Sequence, residues 1–220
     1  MAIFGKFKRS AKELGSLRCL VVTAMLIALD LALKLATTLE ISDELKLNFA
    51  FVAVASIGML FGPTVAGLAC VVTDVIGYFL RPTGGAFNPM FVLIEVMGGI
   101  IYGLFLYEMT PVKPELSGFK AFFKSIGSNW SSALRIVLAK ITVAVVCNLF
   151  MTPMALTITK TMEAGVYNAG VFWTGFFTRV GTRLIKNAIE VPVHCLILLL
   201  TLFPVMAAYR SIFKKRLTNG

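Results

Sequence analysis

A stripe of polar side chains follows one side of an otherwise apolar segment near the C-terminal end of the sequence. At steps of three and four residues, which fall on one side of a helix, stand Arg179, Arg183, Lys186, Asn187, Glu190 and His194. A charge without a partner in bilayer hydrocarbon costs about 2.5–3.5 kcal/mol, so these cations need something to bind. Either buried acids neutralise all of them, or at least one cation binds an anionic ligand that arrives from outside. A carboxylate suits the planar fork of an arginine.

A second group of polar and aromatic residues surrounds the stretch RPTGGAFNP. Asp74 is a carboxylate inside an apolar run, Tyr78 comes one turn later, and Arg81 follows three residues after that. Aromatic rings at such positions either anchor a protein at the membrane surface or stack on a flat ligand. Trp173 lies just before the polar stripe and offers such a face. The predicted substrate-binding residues are Asp74, Tyr78, Arg81, Phe87, Asn88, Trp173, Arg179, Arg183, Lys186 and Asn187.

Other ionisable residues within apolar runs indicate internal pairing. Asp30 and Lys34 are four residues apart, which predicts an ion pair within one helix. Glu95 is a further buried acid, and we expect it to pair with Lys140 or with an arginine of the last span.

Small residues recur at steps of four in the first long apolar segment. Ala24 and Ala28 form a flat patch that lets another helix approach closely. Chance in an alanine-rich helix is one explanation. The other, which we adopt, is a docking surface for a partner membrane protein.

The sequence lacks the residue groupings that catalysis or metal binding requires. His194 is the only histidine, and the 4 cysteines are scattered without metal-ligand spacing. No Walker-type phosphate-binding loop is present, so the chain does not hydrolyse ATP by that device. We therefore predict no catalytic residue, no metal site and no cofactor, and we do not expect an enzyme.

Composition predicts the elements that position these residues. Of the 220 residues, 58% are hydrophobic and 15% are charged, whereas soluble domains carry roughly 25% charged residues. The sequence therefore predicts an all-α integral membrane protein, a compact bundle of six transmembrane helices, because backbone groups in lipid must be satisfied within the segment. The predicted spans are approximately Cys19–Thr38, Leu47–Phe61, Thr64–Leu80, Pro89–Tyr107, Leu134–Ile158 and Val180–Tyr209.

The placement of lysine and arginine predicts the orientation of the chain. Cytoplasmic loops collect basic residues, which accounts for the net charge of +10 without a nucleic-acid partner. Both termini are therefore expected to be cytoplasmic. The chain forms one domain, 1–220, with an interfacial lead-in at 1–16, a cytoplasmic loop at 108–132 and a cytoplasmic tail at 210–220. The predicted outer loops are TTLEISDELK, RPTGGAFNP and KTMEAGVYNAGVFW.

Four stretches, taken in order, resemble a known family. These are TAMLIALD, GMLFGPTVAGLACVVTDVIGYFLRPTGGAFNPMF, GGIIYGLFLYE and RLIKNAIEVPVHCLILLL. Together they are similar to the folate-family S components, the substrate-binding subunits of bacterial energy-coupling factor (ECF) vitamin transporters. The resemblance implies a six-helix protein of the bacterial plasma membrane that binds its vitamin from outside. It further implies docking through Ala24 and Ala28 onto a transmembrane coupling protein that works with two ATPase subunits. Folate, with its flat pterin and its glutamate tail, is the expected ligand.

Two other functions stay open at this point. Another vitamin with a carboxylate, such as pantothenate, fits the cation cluster but brings no flat rings. A proton-coupled secondary transporter would use Asp30, Asp74, Glu95 and Glu190 as a relay, although such transporters usually have more helices and internal repeats. Uptake by the chain alone would favour the secondary transporter, and dependence on partner ATPases would favour the S component.

Overall fold

Helices dominate the chain. The computed structural model describes residues 2–36, 39–40, 46–47, 49–80, 88–109, 130–165 and 169–214. The helices in these ranges are α1 (Ala2–Glu13), α2 (Leu17–Ala36), α3 (Phe51–Phe61), α4 (Pro63–Leu80), α5 (Pro89–Leu106), α6 (Trp130–Val143), α7 (Thr152–Ala164) and α8 (Ala169–Lys214). A π-helical segment, Ala144–Met151, joins α6 to α7, and two-residue strands β1 (Leu39–Glu40) and β2 (Lys46–Leu47) form an antiparallel pair.

Four helical stretches in the described ranges are long and apolar enough to cross a membrane. They are Pro63–Leu80, Pro89–Leu106, Trp130–Met162 and Ala169–Ile212. The pair α1 and α2, bent by 93°, adds a fifth if it is counted as one span. The predicted helical membrane class is therefore confirmed. The six-span count stays a prediction, because α3 has 11 residues, about 17 Å of helix, against a hydrocarbon core of roughly 30 Å.

The predicted boundaries of the last two spans were wrong. α8 begins at Ala169 rather than near Val180, and it continues to Lys214 within the predicted tail. Most of the predicted outer loop KTMEAGVYNAGVFW is thus helical, because aromatic residues at helical spacing stack along the start of α8. α7 ends where Gly165 adopts a φ of 65°, the left-handed conformation that favours glycine. α6 likewise begins at Trp130, inside the predicted 108–132 loop.

The π-helical segment has a cause in the sequence. Pro153 follows it and has no N–H to donate, so a regular helical ladder cannot run through this point. The Thr152 hydroxyl donates a hydrogen bond to the Cys147 carbonyl oxygen at 2.7 Å. Cys147 and Asn148 therefore lie in a widened helical turn that faces the interior of the bundle.

α3 forms the centre of the bundle. Its residues from Ala53 to Met59 are all buried, and it packs against α2, α4, α5 and α8. At Gly58 a Cβ atom would lie 2.8 Å from the amide nitrogen of Gly103 on α5, so only glycine permits this approach. Leu198 and Leu202 of α8 pack into the same core.

Ser10 fastens α1 to the turn between α3 and α4. Its buried hydroxyl donates to the Phe61 carbonyl oxygen at 2.7 Å and accepts from the amides of Thr64 and Val65 at 3.0 and 3.2 Å. Those amides belong to the first turn of α4, where backbone N–H groups have no helical partner. Ser10 therefore caps α4 from another helix and fixes the position of α1.

Candidate ligand-binding site

A cavity of about 220 Å³ lies between α2, α3, α5, α8 and the α6–π segment. Phe51 is the first residue of α3, whereas the last residue, Phe61, contacts α1. The cavity therefore lies toward the end of the bundle opposite α1. Aromatic and aliphatic side chains share its lining with six acidic or basic ones, namely Asp30, Lys34, Glu95, Lys140, Glu190 and His194. A mostly apolar hollow with a few convergent polar groups is typical of a small-molecule site.

One group of charges joins α2 to α5 across the cavity. The Lys34 Nζ lies 3.1 Å from the Asp30 Oδ2 and 3.8 Å from the Glu95 Oε2. The predicted pair of Asp30 and Lys34 is confirmed. The expectation that Glu95 pairs with Lys140 or with an arginine of the last span was wrong. Helix α2 supplies the nearer cation, because the side chain of Lys34 reaches Glu95 on α5.

A second group of charges comes from α6 and α8. Lys140 is 5% exposed and lies over the ring of Phe51, with its Nζ 4.9 Å from the ring centroid. Glu190 and His194 are four residues apart on α8, and their Oε1 and Nε2 atoms are 3.9 Å apart. Among the described residues, Lys140 has no carboxylate within ion-pair distance. A buried ammonium beside an aromatic face and an acid is a group that can bind a polar ligand.

Two buried side chains of the cavity wall carry polar atoms without a hydrogen-bond partner among the described residues. Tyr102 and His194 are 3% and 4% exposed, and the tyrosine hydroxyl and both imidazole nitrogens have no hydrogen-bond partner in the part of the chain that is described. Buried polar atoms are nearly always hydrogen-bonded. Both residues line the cavity, so these unpartnered donors and acceptors belong to its wall.

None of the eight predicted substrate-binding residues that the structure describes belongs to the lining of this cavity. Arg81 and Phe87 fall outside the described residues. Asn88 caps α5 by accepting from the Met90 amide at 3.0 Å and donates to the Thr159 hydroxyl at 2.8 Å, which gives it a structural part. Asp74 is partly buried on α4.

Two of the predicted aromatic residues pack on neighbouring rings. Tyr78 on α4 packs edge-on against Phe79, with ring centroids 5.8 Å apart. The exposed Trp173 stacks among the phenylalanines at the start of α8.

The polar stripe on α8 divides into two parts. Asn187 is buried and accepts a hydrogen bond from the Asn148 amide at 3.1 Å, which connects it to the cavity wall. Arg179 donates to the Thr157 hydroxyl at 2.9 Å and to the Gly175 carbonyl oxygen at 3.2 Å. Arg183 and Lys186 are partly exposed and make no hydrogen bond or ion pair to any described residue. The C-terminal half of the stripe, from Asn187 to His194, thus borders the cavity. The N-terminal half contains Arg183 and Lys186, two cations that are available to a ligand.

Sequence reasoning missed most of the cavity lining. Phe51, Tyr102 and Asn148 gave no signal of their own, because their neighbours come from helices that are distant in the sequence. Lys140 and Glu95 did give a signal in the sequence, because an ionisable residue inside a membrane segment is a candidate functional residue by default.

The small-residue patch is exposed on α2. Ala24 and Ala28 face away from the bundle, whereas Asp30 on the same helix is fully buried. The predicted docking surface is therefore accessible to a partner in the part of the chain that is described.

Comparison with known proteins agrees with this geometry. Residues 18–202 match the family model of the ECF transporter, substrate-specific component. The folate transporter FolT of Clostridium novyi is 30% identical over 154 residues, 70% of each chain. FolT of Leuconostoc mesenteroides is 27% identical over 178 residues, 80% of each chain. A crystal structure of FolT bound with folic acid matches with a TM-score of 0.59 and 28% identity, over 83% of this chain and 91% of that one.

The match to the family model extends over most of the sequence and includes every residue that lines the cavity. The chain therefore belongs to the family of substrate-specific components of ECF transporters, and it is a membrane transport protein rather than an enzyme.

Proposed function

We propose that this chain captures folate outside the cell and delivers it through an ECF module. The observation that carries the proposal is the cavity with its buried, unpartnered polar groups, in a chain similar over 83% of its length to a protein solved with folic acid. Pantothenate, the other carboxylate-bearing vitamin, has no ring to pair with the polar wall or to stack on Phe51.

The size of the cavity supports a division of the ligand between two places. Sites for drug-sized ligands are roughly 300–1,000 Å³, whereas this cavity measures about 220 Å³. It suits one end of folate rather than the whole molecule. The other end then extends along α8 toward the exposed part of the polar stripe.

The charges of the cavity wall favour binding of folate with its pterin end inside the cavity. The cavity wall carries three acids and two lysines, and one of those lysines, Lys34, is already within reach of two acids. A glutamate tail with two carboxylates would be repelled there. The neutral pterin presents adjacent N–H donors that suit a carboxylate such as Glu190. Its remaining polar atoms can pair with Tyr102 and His194, whose polar atoms have no described partner.

The outer end of the ligand then meets the cations of α8. Arg183 lies seven residues before Glu190, about 10 Å along the helix, which is a separation that a linear ligand can bridge. Arg183 and Lys186 can bind the two carboxylates of the glutamate tail. Tyr78 offers a face for the aminobenzoyl ring, and Trp173, which lies before Arg183 on α8, offers one beyond the glutamate tail. Asp74, Arg179 and Asn187 support this region as neighbours.

The transport partners follow from the family. We propose a transmembrane coupling protein with two ATPase subunits as the module, contacted by the exposed stripe that contains Ala24 and Ala28. We also propose six spans with both termini in the cytoplasm, because the basic residues of α1 and of the C-terminal tail lie there under the positive-inside rule. The cavity, at the end opposite α1, then lies toward the outside.

Titration of the purified chain with ligand fragments tests this proposal. Folate and pteroate, which both contain the pterin, should bind, p-aminobenzoylglutamate should bind much more weakly, and pantothenate should not bind. Calorimetry or tryptophan fluorescence reports the affinities. Binding of pantothenate without folate would overturn the choice of vitamin. Uptake in liposomes by the chain alone, driven by a proton gradient, would overturn the ECF mechanism.

A further inference from the structure

Helix α1 lies across the end of the bundle instead of continuing into it. It is bent by 93° from α2, so it lies along the membrane surface if α2 crosses the bilayer. Ser10 holds it against the start of α4, and the Lys6 ammonium donates to the Leu104 carbonyl oxygen at 2.8 Å. Arg9 pairs with Glu108 at 3.1 Å. These contacts fix which side of α1 faces the protein and which side faces outward.

The outward side of α1 is apolar near its N-terminal end and basic farther along the helix. Phe4 is 84% exposed and Ile3 is 59% exposed. Phe4, Lys8 and Lys12 follow one another at steps of four, so they lie along one side of the helix. Both lysines are exposed, and neither makes a hydrogen bond or ion pair with a described residue. The two other basic residues of α1 have partners within the protein, so these two remain for something outside it.

We propose that α1 is a binding site for anionic phospholipid. Phe4 and Ile3 insert at the boundary between headgroups and acyl chains, and Lys8 and Lys12 bind the phosphates of neighbouring headgroups. A helix with one apolar edge, basic flanks and an orientation parallel to the bilayer is the form that interfacial helices take. A lipid is favoured over a protein partner because the ends of any membrane span are necessarily surrounded by headgroups, and because the free charges are both positive. The inference is independent of the vitamin.

A fluorescence experiment on the full-length chain tests the site. The reporter is F4W, in a background where Trp130 and Trp173 are replaced by phenylalanine. The protein is reconstituted into vesicles of equal parts phosphatidylcholine and phosphatidylglycerol, with bromine, a quencher, on the acyl chains of only one lipid. Quenching should be severalfold stronger when phosphatidylglycerol carries the bromine. Each lysine near an anionic surface favours that lipid about fivefold.

Matched variants show whether the lipid preference comes from Lys8 and Lys12 or from the positive charge of the protein in general. K8Q/K12Q should bring quenching by the two lipids to equality. K160Q, a change at an exposed lysine on α7, should leave the preference intact. Equal quenching by both lipids in the protein with Lys8 and Lys12 intact would overturn the proposal. Absence of quenching by either lipid would also overturn it. Emission from F4W that changed only when the ATPase module was added would overturn it as well, because α1 would then bind a protein partner instead of lipid. Retention of phosphatidylglycerol by the unmodified protein after gentle extraction, lost in K8Q/K12Q, provides a second readout by mass spectrometry.

Discussion

Replacing Glu190 with glutamine is expected to weaken folate binding about 10- to 100-fold. Three acids line the cavity, but Asp30 and Glu95 both lie within 4 Å of the Lys34 ammonium. Glu190 is 12% exposed, and its one described ion-pair contact, with His194, is 3.9 Å long. It is therefore the acid whose oxygens are most available to pterin N–H donors.

The magnitude follows from the charge of this hydrogen bond. Hydrogen bonds to charged groups contribute about 1.5–3 kcal/mol, and each 1.4 kcal/mol changes affinity about tenfold. Glutamine keeps the size and one acceptor but replaces the other acceptor with an N–H₂ donor, which opposes the donors of the ligand. Most of the interaction should therefore be lost while the fold is retained.

Calorimetric titration with folate and with pteroate measures the effect. E190Q should weaken both ligands by the same factor, because both contain the pterin. E13Q, which removes an exposed carboxylate at the C-terminal end of α1, is the matched control and should bind as the unmodified chain does. Unchanged folate affinity in E190Q, or a loss confined to folate and absent for pteroate, would refute the inward placement of the pterin.

Other substitutions test the remaining parts of the site. Arg183→Gln should weaken folate about tenfold but leave pteroate unchanged in the same titration, since only folate carries the glutamate tail; an equal loss for both would contradict this. Ala24→Trp and Ala28→Trp should leave ligand binding intact and abolish uptake with the partner module. Uptake that survives both substitutions would contradict the proposal that this patch is a docking surface. Lys34→Met should destabilise the protein by about 3 kcal/mol in thermal unfolding, because Asp30 becomes a buried charge without its cation. Adding Asp30→Leu should recover part of that loss, and a double variant no more stable than Lys34→Met would contradict the explanation.

Local features of the site were predictable from the sequence. The Asp30–Lys34 pair depends only on a spacing of four residues within one helix, and the structure places the two groups 3.1 Å apart. The exposure of Ala24 and Ala28 follows from the same helical periodicity. The membrane class followed from composition, because apolar runs of this length have few alternatives.

Contacts between helices were not predictable in the same way. Glu95 has several cations within the apolar segments as possible partners, and only the three-dimensional arrangement of the bundle brings the Lys34 side chain to it. The cavity draws its wall from five stretches of chain, so no single stretch reveals it. The start of α8 was misplaced because the residues of KTMEAGVYNAGVFW include glycine and asparagine, which are typical of loops, whereas aromatic stacking between turns favours a helix there.

Helix α2 carries the outward alanine stripe on one flank and the Asp30–Lys34 pair on the other. A single helix therefore separates the proposed vitamin-binding cavity from the surface that we propose for the coupling protein. Because a helix of this length moves as a rigid body, a partner that tilted or rotated α2 would also shift one wall of the cavity. Under the proposed function, capture and release of the vitamin would both depend on the position of α2.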